Sequence, residues 1–386
     1  MTSLDVSRTL TSASELSSRV SGLASLVKEE RDEFDSNGQL SDELFQQIAA
    51  LGLFRLFLPA ALGGPELSAL EFMQVVEAAA ALDGTVGWLV GNGGGMGRAG
   101  AYLPADSARA IFDDPLAFVV SSTAALGRAV RVRGGYTVTG RWPFGSGSPH
   151  GTWFSPVCVV HEGDQATGEI IFVYVPRQDV VLHDNWKVSG LCATGSVDFE
   201  FHEAFVPDRF AHAFQPEPTH PGTLYRLPTR SIFPWTVATV PLGIAAGAID
   251  DFVSIAGSPG RTGDSAPLAE RELVQSQVGH IEARTAASRA YLRHTMSTLH
   301  DAVEAGSNLE APQADFRLAC TFASQSALWA IDLLTEMAGA IAIRRTCPLE
   351  RRERDARAAA KHIAMSPAAY IIGGKLRLGC DLSGSH

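Results

Sequence analysis

The hydrophobic period of this chain changes twice, and the order of those changes constrains its fold more than any single motif does. Up to about residue 118 apolar residues recur at helical spacing. Ser41 is placed to cap a helix, with Asp42 and Glu43 in the first turn and Leu44, Ile48 and Leu51 along one face before Gly52. A second helix is expected over residues 69–82, between the breaker run Leu62-Gly63-Gly64-Pro65 and Asp83-Gly84. Near Phe118 the period drops to two. Val130 and Val132 precede a Gly134-Gly135 turn, Tyr136 and Val138 follow it, residues 170–175 are strongly β-prone, and Val197, Phe199 and Phe201 alternate with Asp198, Glu200 and His202. Residues 215–229 hold four prolines and no period, which makes them a connector. Helical spacing then returns at Leu242, Ala245, Ile249 and Phe252, at Val274, Val278 and Ile281, and at Leu318, Phe322, Trp329 and Leu333. The fold class is therefore α+β. An N-terminal helical domain (1–118) precedes a central β-domain (119–222) and a C-terminal helical bundle (223–386). The last helices have apolar faces wider than one seam needs, so further helix contacts are expected.

Charge narrows the partners. The formal net charge of −11 argues against a nucleic-acid backbone or an anionic membrane surface. Cys158, Cys192, Cys320, Cys347 and Cys380 are scattered without a C-x-x-C pair, so neither a disulfide framework nor a zinc site is expected. Residues 1–20 lack an apolar core, and no stretch offers 18 uninterrupted apolar residues. The expectation is a soluble, cytoplasmic protein. Gly95-Met96-Gly97-Arg98-Ala99-Gly100 matches G-x-G-x-x-G, but a dinucleotide fingerprint needs a strand before it and a helix opening from it. Here the preceding residues read as helix and Pro104 follows closely, so tight packing, or a loop against a ligand, is the better reading. H-E-x-x-H, G-x-S-x-G and G-K-[ST] motifs do not occur.

Several strings give the chain a family likeness. They are Gly52-Leu53-Phe54 through Leu62-Gly63-Gly64-Pro65, then Gly140-Arg141-Trp142-Pro143-Phe144-Gly145-Ser146-Gly147, then Phe205-Val206-Pro207, and lastly Pro348-Leu349-Glu350 with Arg354-Asp355-Ala356. In this order they resemble the acyl-CoA dehydrogenase fold, which implies an N-terminal helical domain, a central β-barrel and a C-terminal four-helix bundle. The two positions where that family carries its catalytic glutamate hold Ile363 and Phe233. Without that base, proton abstraction from an acyl thioester is not expected. Asp83-Gly84-Thr85-Val86-Gly87-Trp88, the Trp142 to Gly147 string followed by His150 and Trp153, Gly190-Leu191-Cys192-Ala193-Thr194-Gly195-Ser196, and His362 after the Arg-Asp-Ala string are instead similar to the group D flavin monooxygenases.

This resemblance implies a two-component monooxygenase that uses reduced flavin, FADH2 or FMNH2, and O2. Its C4a-hydroperoxide would deliver oxygen to an electron-rich aromatic such as an indole or phenol, with an amino-sugar N-oxygenase or a non-redox binding or cyclising protein as alternatives. A separate NAD(P)H-dependent flavin reductase and a homotetramer go with it. By position, Ser121 and Ser122 lie at the pyrimidine edge of the flavin, Phe144 flanks its ring, and Ser146 stands near N5. Arg261 reaches a cofactor phosphate across a dimer, and Gly339 lies near the cofactor. Trp88, Phe233 and Trp235 wall the substrate pocket. His362 is the preferred acid/base, because an imidazole of unperturbed pKa about 6.5 can exchange a proton near neutrality, and His150 is the second candidate.

Overall fold

The computed structural model describes residues 12–229, 231, 236–258 and 267–381. Phe233, Trp235 and Arg261 therefore lie outside the described residues. The N-terminal part is helical, in segments α1 (Ala13–Ser21), α2 (Ala24–Glu30), α3 (Phe34–Asn37), α4 (Asp42–Ala50), α5 (Ala69–Leu82), α6 (Gly84–Met96) and α7 (Ala105–Phe112). Local chemistry sets these ends. The Ser41 hydroxyl accepts from Leu44 N–H at 3.0 Å and starts α4. Ser68 and Glu71 form a reciprocal capping box on α5. Asp83 closes α5 and opens α6 by accepting from Thr85 N–H at 2.9 Å.

The glycines of α6 serve close packing. A Cβ on Gly91 would lie 2.1 Å from the Thr236 carbonyl oxygen, and one on Gly97 would lie 2.7 Å from Leu58 N. The chain runs from α6 straight into a 3-10 turn, Gly97–Ala101, with no strand before the glycine string. This is packing geometry, as the sequence suggested, and not a phosphate loop.

Eight strands follow: β1 (Val119–Val132), β2 (Gly135–Gly145), β3 (Trp153–Glu162), β4 (Gln165–Val173), β5 (Val175–Pro176), β6 (Val181–His183), β7 (Val197–Pro207) and β8 (Ala211–Ala213). They form one mixed sheet in the order β6-β7-β2-β1-β3-β4-β8, with β5 paired to β3. The β1–β2 hairpin turns at Gly134, whose φ of +81° suits glycine, and sets Val132 opposite Gly135. Trp142, Phe154, Phe199 and Phe201 are fully buried and pack on one another within the β-domain, each contributing roughly 2 kcal/mol of transfer free energy. Beside them β1 pairs in parallel with β3 through Ser122, then loses register until Gly127. That irregularity turns the end of the paired stretch toward the cavity described below.

After the connector, which includes the short helix α8 (Thr223–Arg226), come α9 (Val240–Ala256), α10 (Glu272–Glu304), α11 (Glu310–Ala338), α12 (Pro348–Ala359) and α13 (Ala368–Arg377). The expected face of α9 is buried. On α11 the structure differs from the sequence reading. Its core side is made by Phe316 and the small residues Ala319, Cys320, Ala323, Ala327 and Ala330, whereas Leu318, Phe322, Trp329 and Leu333 are only half-buried. Small side chains let the helices of the bundle approach closely, which displaces the large ones to the flanks. The segment Glu310–Ile343 is long and apolar enough to cross a bilayer, yet the Phe316 side of α11 is packed into the bundle core. All five cysteines are unbridged.

Candidate active site

A cavity of about 440 Å3 lies where α6, β1, the end of β2, the loop before β7 and the turn after α12 meet. Trp88, Ser121, Ser122, Phe144, Ser146 and His362 all line it. His150 and Gly339 do not. The His150 ring is stacked on Phe45 at 4.2 Å, its Nε2 is 3.1 Å from the Leu40 carbonyl oxygen, and burial lowers its pKa. Gly339 ends α11 with φ +66° beside a separate surface groove that contains Asp332 and Arg357.

Trp88 and Ser146 belong to a row of hydrogen bonds whose direction is fully determined. Thr194 Oγ1 donates to the Leu191 carbonyl at 2.8 Å, so it must accept from Ser196 Oγ at 2.7 Å. Ser196 has then used its proton and accepts from Ser146 Oγ at 2.9 Å. The indole Nε1–H of Trp88 donates to Ser146 Oγ at 3.0 Å. Every proton in the row points away from Trp88. Ser146 is left with one lone pair to offer a donor in the cavity. Ser121 and Ser122 are set the same way, because their hydroxyls donate to the Ser155 and Pro143 carbonyls at 2.9 and 3.4 Å.

The loop that carries this row is anchored from behind. A Cβ on Gly190 would lie 2.2 Å from the Arg354 carbonyl oxygen, so only glycine lets the loop touch α12 there. Leu191 has φ +53°, and its N–H donates to Asp355 Oδ1 at 2.7 Å. Burial first, and then the neighbouring Asp83 carboxylate, raise Asp355 well above the usual carboxylate range. Arg354 is held by Asp35 at 2.9 Å and Glu350 at 2.8 Å, which ties α3 to α12. Thus the Arg-Asp-Ala string supplies scaffolding for the Gly190 to Ser196 loop.

His362 follows α12 and turns its ring into the cavity. Its Nδ1 accepts from Ala364 N–H at 3.2 Å, which leaves the proton of the neutral ring on Nε2. Burial lowers its pKa to about 4. The sequence expected a histidine titrating near neutrality; the structure places a neutral imidazole that donates through Nε2. At the mouth Phe144 is 69% exposed with φ +61°, a backbone region that bulky residues rarely adopt outside functional sites. Its ring meets Trp186 edge-on at 6.3 Å. Ile363, standing where a dehydrogenase would carry its base, is 74% exposed at the rim. Among the described lining residues there is no aspartate or glutamate; the charged ones are Arg98 and Lys361.

The N-terminal domain of the acyl-CoA dehydrogenases matches residues 20–102, and their C-terminal domain matches residues 235–367; together these span more than half of the chain. Similar whole proteins include HsaA of Rhodococcus jostii, a flavin-dependent monooxygenase oxygenase subunit, 28% identical over 95% of this chain and 98% of its own. An indole-3-acetate monooxygenase of Acinetobacter baumannii is 25% identical over 90% of each. The crystal structure of 3-HSA hydroxylase from a Rhodococcus species superposes with a TM-score of 0.88 at 26% identity, over 96% of this chain and 98% of that one. The chain belongs to the acyl-CoA dehydrogenase family, in the branch of its fold formed by the flavin-dependent monooxygenases. It is a reduced-flavin-dependent monooxygenase.

The residues present fit the flavin ring. Ser146 keeps a lone pair for a ring N–H, Ser121 and Ser122 present acceptors, and Phe144 offers an exposed aromatic face. The sequence pointed to each of these. It did not single out Thr194 and Ser196 as the residues that orient Ser146, nor Asp355 as an anchor, although all three stand inside strings that carried the likeness. Arg98, inside the rejected glycine string, was also missed.

Proposed function

We propose that this chain is the oxygenase component of a two-component system that hydroxylates a small electron-rich aromatic such as an indole or phenol. The observation that carries this reading is one cavity, without a carboxylate among its described lining residues, that holds both the remaining Ser146 lone pair and the neutral Nε2–H of His362. Bound there, reduced flavin would supply the electrons that activate dioxygen. Ser121, Ser122 and Ser146 would hold the polar edge of the ring, with Phe144 against its face. His362 would donate to an oxygen or nitrogen substituent of the substrate, and Trp88 would wall the pocket beside it. An amino sugar fits less well, because its ammonium group would meet no carboxylate among the described lining residues. A separate NAD(P)H-dependent reductase would supply FADH2 or FMNH2, and the working form would be a cytoplasmic homotetramer.

The test is to mix the purified protein with chemically reduced FAD or FMN, then with 18O2 and a panel of indoles and phenols. The expected product is a hydroxylated aromatic carrying one labelled oxygen. Hydrogen peroxide alone with every aromatic would refute the reading.

A further inference from the structure

The inner end of the cavity is built around a buried cation. Arg98 stands on the 3-10 turn after α6 and is only 8% exposed. Its Nη2 donates to Tyr102 Oη and, at 3.5 Å, to the Leu227 carbonyl, and its Nε is buried without a partner. Among the described residues no carboxylate pairs with it. The other buried arginine behaves differently: Arg352, 6% exposed, meets Asp251 at 2.9 Å.

The neighbours of Arg98 do not supply the missing charge. Tyr102 gives its proton to the Tyr225 carbonyl at 2.7 Å, and burial raises its pKa, so it stays a neutral phenol. His212 Nδ1 is 2.8 Å from the Ala213 carbonyl oxygen, to which it must donate; its Nε2 therefore accepts from Tyr174 Oη at 2.9 Å. Burial first, and Arg98 further, lower His212 to about 4, so it too is neutral. A guanidinium in such surroundings is costly unless an anion completes it. Its fork geometry suits a carboxylate.

We infer that Arg98 is the recognition residue for a carboxylate on the substrate, so that the preferred substrate is an aromatic acid. This rests on the hydroxylase reading above and narrows it. Placement favours substrate over flavin as the source of the anion. Phe144, which suits the face of the ring, is 69% exposed at the mouth, whereas Arg98, on the turn after α6, is only 8% exposed. The carboxylate would lock the ring in one orientation, presenting a fixed edge to His362 and Ser146.

The experiment uses the full chain and two matched pairs: 4-hydroxyphenylacetate against 4-hydroxyphenylacetamide, and indole-3-acetate against indole-3-acetamide. Binding is measured by calorimetry, and oxygen-dependent product is measured in parallel. The acids should bind about tenfold or more tightly than the amides, the usual size of a charge-assisted hydrogen bond. Arg98→Gln should erase that preference by weakening the acids alone, with reduced-flavin affinity unchanged. Its thermal midpoint should be equal or higher, because an unpaired buried charge has been removed. Arg98→Lys, which keeps the charge, should retain part of the preference. Equal binding of acid and amide by the wild-type protein would overturn the inference without any variant. So would an Arg98→Gln that weakens acid and amide alike, or one that weakens flavin instead. Acid-selective, Arg98-dependent binding with no oxygenated product from any aromatic would leave the anion site standing and defeat the hydroxylase reading.

Discussion

The imidazole of His362 meets the indole of Trp88 edge-on, with ring centroids 5.7 Å apart and planes inclined by 72°. The same indole donates to Ser146, so Trp88 touches both polar groups proposed to face the reaction. An edge-on aromatic wall holds the imidazole without supplying a hydrogen-bond partner that would pull the proton off Nε2.

His362→Ala should lower hydroxylation by roughly 10²-fold or more, the usual size of a lost proton-handling group, with little change in flavin affinity. The pH profile is the sharper measurement. His362 in the folded protein is depressed to about 4, below its unfolded value near 6.5, so it stays neutral across pH 6–8. The rate should show no inflection near 6.5 that disappears in the variant. The same shift makes the folded state lose stability as pH falls from about 6.5 toward 4, and His362→Ala should remove that part of the acid sensitivity.

Ser196→Ala deletes the acceptor that fixes the Ser146 proton. Ser146 can then turn its hydroxyl into the cavity and present a donor where it had presented a lone pair. The expected outcome is a larger share of oxygen released as hydrogen peroxide, with the substrate affinity nearly unchanged. The buried hydroxyls left behind should cost about 1–3 kcal/mol of stability. Coupling equal to wild type, measured as product formed per oxygen consumed, would remove Ser196 from its positioning role.

Asp355 gives a pH effect of the opposite sign from His362. Its folded pKa is raised above the unfolded value, so between the two values the folded state holds more protons and stability falls as pH rises. Asp355→Asn keeps an oxygen for Leu191 N–H but cannot ionise. The melting temperature of the variant relative to wild type should therefore climb from pH 4.5 to pH 8. A constant difference across that range, read by calorimetry, would contradict the assignment.

No carboxylate lines the described part of the cavity, so acyl-CoA thioesters should not be dehydrogenated. Reduction of an electron-accepting dye by acyl-CoA at ordinary enzymic rates would show that a base is present after all.

Much of this architecture was legible because the elements announce themselves locally. Ser41, Ser68 with Glu71, and Asp83 are each a cap followed by an apolar run, and the Gly134 turn lies between two alternating stretches. The face of α11 was misread because periodicity ranks residues by hydrophobicity, whereas close packing selected Ala319, Ala323 and Ala327 for the core. Of the single residues that the family strings singled out, Ser146, Phe144 and His362 all line the cavity. What the sequence did not disclose were relations between distant residues. The protonation of His362 depends on a backbone N–H two residues on, and the orientation of Ser146 depends on Thr194 and Ser196. The histidine at 150 carries no local sign that Phe45 and Leu40 will occupy both its face and its Nε2. Arg98 had a signal, a lone cation in a glycine-rich apolar stretch, but its meaning depends on the absence of an acid nearby in space.

The row from Trp88 to Leu191 begins at a group that can only give a hydrogen and ends at one that can only take it. Rotating its hydroxyls together would leave an indole N–H facing a hydroxyl hydrogen and the carbonyl without a donor. The row is therefore an insulator in the electrical sense: it carries a fixed dipole but no proton current. Behind it lies Asp355, a buried reservoir that could otherwise exchange protons with whatever reacts in the cavity. The four side chains keep that reservoir disconnected from the chemistry, so protons have to enter and leave through the open mouth with solvent and substrate.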